Sequence, residues 1–485
     1  MAVAPILATI VCLTAWVAVT RFRIGAMLSP FSIFLLMLCS IFGIRPLLML
    51  DDESYDSRYF YGYDISGGFF LASVLGLIGV VAFVLGYASA RLVSTRRTRR
   101  LVTEEAISPQ FPSRHSFADL HPSAPERVTV AAILMLSMWF AVMIVVGGGP
   151  SFIALLFAGR SEQVSRVLAN VPSLAFAIPV VAALLIASVR WEFERSGSGF
   201  VYTFRRNAAY WIVSAACVVP PSALGTRRFL IPSVIIVLIG AASWRWTRRI
   251  KVVWAAAAAA SFLALAIFPF VRSAGSRTFG YGGSDILGAM AYYLQNEGIE
   301  GVLDSFFLSY DTEMFNWVAY FAPRMGSSLE FGMGRGTFGD LIAQPMPASV
   351  MNLPIWNDYL LLQAFGGTCG DGIACPVPSI IGVLYTDLAL PGLILGMFLL
   401  GIACLNFEPL LFRSHGAATA ALLLAAGFSV VFARGNSMSQ LWYGAQIWLV
   451  WLAVYTALIT LSARPPVFAS QSGVRPSSRP GLRRS

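Results

Sequence analysis

Between residues 67 and 90 the chain contains the stretch GGFFLASVLGLIGVVAFVLGYASA, which has no charged residue. An α-helix needs roughly 20 residues to cross the hydrocarbon core of a bilayer, and this stretch is slightly longer. It is apolar on every side, whereas a helix at the surface of a soluble protein has one polar face. The stretch therefore predicts a transmembrane helix.

Ten further apolar runs of about 15 to 24 residues have the same character. Backbone polar groups in lipid must be hydrogen-bonded within the segment, so such runs are helices. We therefore predict an all-α, polytopic membrane helix bundle of about eleven transmembrane helices. The runs lie near residues 2–20, 27–50, 67–90, 128–146, 171–189, 208–223, 229–243, 253–271, 387–404, 416–433 and 441–461.

The overall composition agrees with this class. The chain has 485 residues, of which 57% are hydrophobic and 12% charged, and its mean hydropathy is +0.72. Soluble domains carry about 25% charged residues, so a secreted, cytosolic or disordered protein is excluded. The net charge is +10. No basic stripe interleaved with aromatic residues is present, which argues against nucleic-acid binding.

The charged residues also predict the orientation in the membrane. Alternate loops and the C-terminal tail contain 23 basic and 7 acidic residues, whereas the opposite loops and helix ends contain 11 basic and 17 acidic residues. Basic loops face the cytoplasm, so we expect the N-terminus outside and the C-terminus inside. We expect residues 1–271 to contain eight membrane helices, short external loops and a basic cytoplasmic loop near 91–127. Residues 272–386 are expected to form an external loop, and residues 387–461 three more helices. Residues 462–485 are expected to be a disordered, basic cytoplasmic tail.

The external loop is the largest segment outside the membrane. Within it, apolar residues recur at helical spacing from Leu303 to Phe321, interrupted by acidic residues. This pattern predicts an amphipathic helix that lies on the membrane surface or caps the bundle. Cys369 and Cys375 are expected to form a disulfide on an oxidising side of the membrane, or else to remain two free thiols. A metal site is not expected, since two cysteines fall short of four ligands. The other four cysteines are expected to pack within spans.

Arginine on the outward side is the strongest chemical signal, because the positive-inside rule should deplete it there. The guanidinium presents a fixed fork of donors that suits phosphate oxygens. The group therefore predicts a site for a lipid-linked phosphate or diphosphate. Any single arginine could instead extend to the headgroups or form an ion pair. The group comprises Arg45, Arg58, Arg160, Arg166, Arg227, Arg228, Arg272, Arg277, Arg324, Arg335 and Arg434.

External carboxylates supply a possible base for a sugar hydroxyl. Among nine of them we take Asp311 and Asp340 as candidates, although no spacing singles one out. Asp387 stands at the head of an apolar run and is expected to be a charge favourable to a helix N-terminus. External aromatic residues could stack on sugars or form an interfacial belt. They include Trp317, Tyr320, Trp356 and Tyr359.

These residues give the chain a resemblance to the Wzy-type oligosaccharide repeat-unit polymerases, which make O-antigen and exopolysaccharide. The resemblance covers the whole layout, and short motifs carry it. They are Gly147-Gly148-Gly149-Pro150 followed by Arg160 and Arg166; Leu224-Gly225-Thr226-Arg227-Arg228-Phe229; Gly334-Arg335-Gly336 with Gln344-Pro345-Met346-Pro347; and Pro378-Ser379-Ile380-Ile381-Gly382-Val383-Leu384-Tyr385 before Pro391-Gly392. The family often has an Asn-Phe-Gly-like step where this chain has Asp387-Leu388-Ala389.

The resemblance implies a glycosyltransferase in the bacterial cytoplasmic membrane that moves a glycan from one polyprenyl diphosphate to a second lipid-linked repeat unit. It implies lipid-linked oligosaccharide as substrate, a flippase and a chain-length regulator as partners, and no cofactor. Related ligases rely on an external histidine, and the three histidines here are all predicted to be cytoplasmic. The candidate catalytic residues are Arg227, Arg228, Arg335, Asp311 and Asp340; the candidate substrate-binding residues are Arg160, Arg166, Arg272, Arg277, Arg434 and Tyr385.

Two other readings remain open. A transferase that uses polyprenyl-monophosphate sugars has acidic residues in its first external loop, as in Asp51-Asp52-Glu53 here. A transporter or flippase of lipid-linked saccharides would need charges near the membrane centre and discontinuous helices. The predicted spans contain few central charges, which favours the polymerase.

Overall fold

The computed structural model describes residues 2–22, 29–51, 59–104, 124–146, 177–195, 204–223, 227–242, 292, 295–296, 298, 313–343, 355–367, 377–407, 416–435 and 437–462. The described residues are mostly helical. The helices are α1 (Val3–Phe22), α2 (Pro30–Leu38), α3 (Arg45–Asp51), α4 (Ser66–Glu104), α5 (Ala124–Val146), α6 (Ala177–Arg195), α7 (Phe204–Ala223), α8 (Arg227–Ala242), α9 (Met314–Phe321), α10 (Asp340–Ala343), α11 (Trp356–Phe365), α12 (Ile380–Phe407), α13 (Gly416–Arg434) and α14 (Ser437–Ser462). Short elements are the antiparallel hairpin β1 (Tyr59–Phe60) and β2 (Tyr63–Asp64), π-helical turns at Cys39–Ile44 and Arg335–Gly339, and a 3₁₀ turn at Ala322–Arg324.

The apolar helices indicate a membrane protein. Among the described residues, six segments are long and apolar enough to cross a bilayer: Val3–Thr20, Pro30–Leu50, Ser66–Val93, Glu126–Val146, Ile380–Phe407 and Gln440–Leu458. Four shorter apolar helices are Ala177–Trp191, Ala208–Val218, Ile231–Ala241 and Ala418–Arg434. All ten coincide with predicted runs, and the run 253–271 lies outside the described residues. The helical class is confirmed, whereas the count of about eleven spans is not.

Helix α12 is not one continuous rod. Ala389 has φ 56° and ψ −162°, which no helix accommodates. A Cβ added to Gly396 would lie 2.7 Å from Cδ2 of Leu384, although twelve residues rise about 18 Å along a straight helix. The chain therefore folds back at Ala389 and forms two arms that lie side by side. We call residues 380–388 the first arm and residues 390–407 the second arm.

Glycine allows the second arm to pack directly on α4. A Cβ at Gly86 would overlap the carbonyl oxygen of Phe398, and one at Gly401 would overlap that of Phe83. Membrane helices approach closely where small residues face each other, because lipid provides no hydrophobic drive and packing must replace it. This close contact between the second arm and α4 fixes the position of α12, and with it the site described below.

Helix α9 caps the bundle, which decides between the two predictions for the external helical pattern. All eight of its residues are buried, and it packs against α4 and α12. Buried Arg45, at the start of α3, donates from Nε to Oδ1 of Asn316 at 3.2 Å. Trp317 Nε1 donates to Oδ1 of Asn357 in α11 at 3.1 Å. These bonds attach the short helices α9 and α11 to the spanning ones. Residues 301–312 of the same pattern lie outside the described part of the chain.

The core divides into two apolar clusters. One joins α1–α4, α9, α11 and α12, and the other joins α5–α8, α13 and α14. The four cysteines expected to pack within spans, Cys12, Cys39, Cys217 and Cys404, are buried free thiols. The candidate site belongs to the first cluster, at the end where the short helices cap the bundle.

Candidate functional site

A buried carboxylate organises the site. Asp387 is fully buried in the last turn of the first arm. Its Oδ1 accepts hydrogen bonds from the backbone N–H groups of Gly334 at 3.0 Å and Gly336 at 2.9 Å. Its Oδ2 accepts from the N–H of Thr337 at 2.9 Å and from its hydroxyl at 2.8 Å. Four donors therefore hold both oxygens, and the carboxylate fixes the turn at residues 334–337, which we call the glycine turn.

Alternating glycines permit this close approach. Gly334 has φ +100°, a conformation that side-chain-bearing residues rarely adopt. A Cβ at Gly332 would overlap Oδ1 of Asp387, and one at Gly336 would lie 2.5 Å from Cδ1 of Trp356. Successive N–H groups can then converge on one anion, as in other backbone anion nests. Here the anion belongs to the chain itself.

The position of Asp387 corrects the sequence interpretation. It was expected to stand at the N-terminus of a span, where the helix dipole favours negative charge. It lies instead at the end of the first arm, where the dipole is unfavourable, and the N–H groups of the glycine turn compensate. Helix begins at Ile380, seven residues before the predicted run at 387–404, and the backbone turns back at Ala389.

Arg335 projects from the glycine turn over an aromatic pair. Its guanidinium carbon lies 4.2 Å from the ring centre of Tyr359, and Tyr359 stacks on Trp356 with ring centres 5.4 Å apart. Stacking on an aromatic face is favourable for a cation. Within the described part of the chain, the buried Nε of Arg335 has no hydrogen-bond partner. The guanidinium of Arg335 is therefore a cation held against an aromatic ring, and its Nε–H group is an unused hydrogen-bond donor.

Asp340 stands five residues after Arg335. Its Oδ1 accepts the backbone N–H of Trp356 at 3.1 Å, so it caps the start of α11. Burial raises the pKa of Asp340 to about 7, and the negative charges of Asp387 and Asp358 act in the same direction. The Trp356 N–H and the positive charge of Arg335 oppose the shift. Asp340 is thus a carboxyl group that can exchange a proton near neutral pH.

Trp356 joins the two halves of the site. Its indole Nε1 donates to the hydroxyl of Thr386 at 3.1 Å, and that hydroxyl donates to the carbonyl of Gly382 at 2.9 Å. The residue before Asp387 and the first residue of α11 are therefore connected. A movement of the first arm would be transmitted to Asp340 through this indole.

An aromatic surface lies at the other end of α11. Phe365, the last residue of the helix, stacks on Tyr320 with ring centres 5.1 Å apart. Tyr61 and Tyr63 of the hairpin pack on Phe365 at 5.5 and 5.6 Å. The guanidinium carbon of Arg324 lies 3.7 Å from the ring centre of Tyr320. We call these five residues the aromatic platform.

The structure brings together only part of the predicted site. Arg335 lies on the glycine turn, and Asp340 follows it as the first residue of α10. Tyr385 packs on Phe331 at the start of the same loop, at 5.9 Å between ring centres. Arg434 is the last residue of α13 and is half-buried.

The remaining candidates cannot be placed by side chain. Arg227 and Arg228 are the first residues of α8, as expected, and only their backbone is described. The others lie outside the described residues; they are Arg160, Arg166, Arg272, Arg277, Asp311, Cys369 and Cys375. Within the described part of the chain, no group of three or more histidine, cysteine, aspartate or glutamate side chains could hold a metal ion.

Sequence reasoning missed the role of Asp387 and the hairpin with its aromatic platform. The alternation Gly332-Met333-Gly334-Arg335-Gly336-Thr337 was a usable signal, since closely spaced glycines mark a turn whose N–H groups bind an anion. Nothing in the local sequence identifies that anion as a carboxylate fifty residues later.

No family model, no curated protein and no solved structure matches this chain.

Proposed function

We propose that this chain is a glycosyltransferase that polymerises polyprenyl-diphosphate-linked oligosaccharide repeat units into a surface polysaccharide, at the outer face of the bacterial cytoplasmic membrane. The observation that carries the proposal is that Arg335 lies on a turn fixed by Asp387 and that Asp340 follows that turn as the first residue of α10. One residue supplies a cation with an unused donor, and the other supplies a base with a near-neutral pKa.

The chemistry follows from those two groups. Asp340 accepts the proton of the acceptor hydroxyl as that oxygen attacks the anomeric carbon of the donor glycan. The new C–O bond forms as the C–O bond to the polyprenyl diphosphate breaks. The bonding electrons leave with the diphosphate, whose charge Arg335 stabilises. Asp340 then returns its proton to solvent or to the departing diphosphate.

The buried carboxylate of Asp387 holds the glycine turn in a fixed geometry. Four hydrogen bonds to Asp387 remove the freedom of the glycine turn before substrate arrives. Preorganised charges stabilise a transition state without the cost of reorganisation during the reaction. Asp387 is therefore a positioning residue, whereas Arg335 and Asp340 are assigned to the reacting groups.

The membrane part supports a lipid-linked substrate. An apolar cavity of about 360 Å³ lies between α2 and the helices α12, α13 and α14, with Phe34, Cys404, Phe428 and Trp448 among its walls. Ligand pockets of this size and lining accept apolar groups. Helix α14 also packs against α10 and against the π-helical turn that carries Arg335. The proposal places a prenyl chain in this cavity while its diphosphate reaches the turn.

The orientation is part of the proposal. The excess of basic residues in the alternate loops puts the capping helices on the outer side, with the N-terminus outside and the C-terminus inside. Lipid-linked repeat units would then meet Arg335 and Asp340 after a flippase has moved them across the membrane.

One observation favours a second candidate, a transporter of lipid-linked saccharides. Transporters often bind substrate at discontinuous helices, and α12 is broken at Ala389 beside a buried carboxylate. However, both oxygens of Asp387 are already occupied by donors from the glycine turn. This saturation leaves Asp387 without a free site for a substrate, which favours the transferase.

Loss of the gene separates the two candidates. Cells that lack a polymerase should retain single repeat units on lipid at the outer leaflet, whereas cells that lack a flippase should accumulate them inside. The direct test is reconstitution of the full chain in proteoliposomes with lipid-linked repeat units added outside. Formation of multi-repeat chains supports the proposal, and movement of single units without coupling contradicts it.

A further inference from the structure

The hairpin before α4 contains a residue in an unfavourable backbone conformation. Tyr61 and Gly62 have φ values of 53° and 83°, and they connect β1 to β2 as a two-residue turn. Turns with two positive φ angles strongly prefer Asn-Gly, because a bulky side chain is strained there. Strained backbone of this kind clusters at functional sites. The presence of a tyrosine at position 61 therefore requires a functional explanation.

The ring of Tyr61 is half open to solvent within the aromatic platform. Tyr61 is 36% exposed and Tyr63 is 48% exposed, although both pack on Phe365. Phe60 of the same hairpin is fully buried, so its ring secures the hairpin while the rings of Tyr59, Tyr61 and Tyr63 remain at the surface. The strained turn thus keeps Tyr61 and Tyr63 exposed at the surface.

Polar groups surround these rings. The half-buried guanidinium of Arg324 lies over Tyr320 and donates from Nη1 to the Tyr320 carbonyl, which leaves further N–H donors at the rim. The tyrosine hydroxyls add donors and acceptors. Apolar ring faces with a rim of hydrogen-bonding groups suit a pyranose, which has C–H groups on its faces and hydroxyls at its edge.

The aromatic platform is connected to Asp340 by one rigid element. Trp356 and Phe365 are the first and last residues of α11, so they are separated by about 14 Å along the helix. Asp340 binds the backbone of Trp356, and Phe365 forms part of the platform. A saccharide of a few sugars can extend over this distance.

A membrane anchor is the competing interpretation of these tyrosines. Interfacial aromatic belts surround the spans at the headgroup level. The platform rings are instead gathered in one cluster. Tyr320 lies on α9 and Phe365 on α11, neither of which is a spanning helix, and Tyr61 and Tyr63 lie on a hairpin that ends before the span beginning at Ser66. This arrangement favours a ligand that contacts one face of the protein.

We infer that the aromatic platform is a binding site for the glycan, a few sugars away from the reacting bond, and that it retains the growing chain between successive couplings. The inference rests on the proposed function, because it assigns the ligand of the platform to the same substrate. It predicts a protein that binds free oligosaccharide without a lipid carrier.

The first experiment measures this binding. The full chain in detergent is titrated with oligosaccharide that mild acid releases from the lipid-linked saccharides of the source cells, and contact is read by saturation-transfer NMR. Tyr61→Asn with Tyr63→Asn should weaken binding at least tenfold. Tyr61→Phe with Tyr63→Phe should bind nearly as the parent, since the ring faces remain. Phe70→Ala removes a ring that is 62% exposed on α4 outside the platform, and it should leave binding unchanged.

The choice of asparagine at position 61 excludes misfolding as an explanation. Asparagine adopts positive φ more easily than tyrosine, so Tyr61→Asn should melt at the same temperature or higher while it binds glycan less well. Parent-like binding by the double asparagine variant overturns the inference. Reduced binding of that variant to vesicles of anionic phospholipid, with unchanged oligosaccharide binding, would identify a membrane anchor instead.

Product length provides the second measurement. In proteoliposomes, the double asparagine variant should yield shorter polymers than the parent, because chains are released between couplings. Arg335→Ala should abolish coupling and still bind oligosaccharide. Polymers of unchanged length from the double variant contradict the inference alone. Oligosaccharide binding by a parent protein that never couples repeat units contradicts the proposed function alone.

Discussion

Asp387 accepts two hydrogen bonds from a single residue, Thr337, whose backbone N–H lies 2.9 Å and whose hydroxyl lies 2.8 Å from its Oδ2. The two residues are fifty positions apart and belong to different elements. Because Gly334 and Gly336 occupy the other oxygen, this carboxylate determines the conformation of the whole glycine turn. The positions of Arg335 and Asp340 depend on it.

Asp387→Asn should therefore destabilise the protein and abolish polymer formation. The amide keeps the shape, but it presents an NH₂ group to N–H donors and leaves some of them buried and unpaired. Loss of charge-assisted bonds of this kind costs about 2–4 kcal/mol. Thermal unfolding in detergent and polymer yield measure the effect. Asp358→Asn, which changes a half-exposed carboxylate nearby, should change the melting temperature little; an equal loss in both variants would contradict the role of Asp387.

Thr337→Val separates the stability contributions of the two hydrogen bonds that Thr337 donates to Asp387. It removes the hydroxyl bond and retains the backbone bond, so the loss should be about 1–2 kcal/mol, smaller than that of the asparagine variant. Thr337→Ser should restore most of the stability.

Arg335→Lys should lower the coupling rate about 10²- to 10³-fold while the protein remains folded in the membrane. Lysine retains the charge but lacks the planar fork that contacts a diphosphate and stacks on Tyr359. Arg227→Lys and Arg228→Lys should behave in the same way if these residues also hold the diphosphate. Coupling at the normal rate in the Arg335→Lys variant would remove this residue from the reacting groups. Arg91→Lys, near the predicted cytoplasmic side, serves as the control.

Asp340 should give the coupling rate a pH dependence. A base with a pKa of about 7 is protonated and inactive at pH 5.5 and ionised at pH 8.5, so the rate should rise through neutral pH. Asp340→Asn should lose this limb and react about 10²- to 10⁴-fold more slowly. A rate profile with the same limb in the variant would assign the ionisation to another group.

The same shift has a consequence for stability, with a definite sign. The pKa of Asp340 is raised from 3.8 to about 7 on folding, so the folded state retains this proton when the unfolded state has lost it. The stabilisation is complete below about pH 4 and is lost as the pH rises through 7. The melting temperature of the parent should therefore fall between pH 5.5 and 8.5 by more than that of Asp340→Asn.

Two adjacent glycines provide a matched test of the packing at the start of α4. A Cβ at Gly68 would overlap the carbonyl oxygen of Ala319 in α9, whereas a Cβ at Gly67 would meet nothing within 4 Å. Gly68→Ala should cost about 1–3 kcal/mol because α9 must move. Gly67→Ala should be neutral or stabilise by about 0.5 kcal/mol. Similar melting temperatures for the two variants would show that α9 does not rest on α4 as described.

Cysteine labelling tests the orientation. Ser327 is exposed in the turn after α9, and Ser472 belongs to the C-terminal tail. In a background without Cys369 and Cys375, an impermeant thiol reagent added to whole cells should label Ser327→Cys, and it should label Ser472→Cys only after the membrane is permeabilised. The reverse pattern would invert the predicted topology.

Much of the membrane architecture followed from local sequence. Runs such as 67–90 and 128–146 are long, apolar and uncharged, and each lies within one helix, Ser66–Glu104 and Ala124–Val146 respectively. Hydropathy succeeds here because a lipid-facing helix must satisfy its own backbone, so length and composition are sufficient. The reversal at Ala389 escaped this reasoning, because Leu384 and Gly396 are both apolar and their contact leaves no trace in hydropathy.

The sequence by itself determined that this is a helical membrane protein, and it identified Arg335 and Asp340 as candidate residues. Only the tertiary structure decided that Asp387 holds the turn that carries Arg335, with Asp340 just after it, and that tyrosines from the hairpin meet Phe365 of α11. The physical reason is the distance along the chain between the residues that interact. Transfer into lipid depends on each segment alone, whereas a buried carboxylate obtains its partners from residues brought near by folding, fifty positions away in this chain.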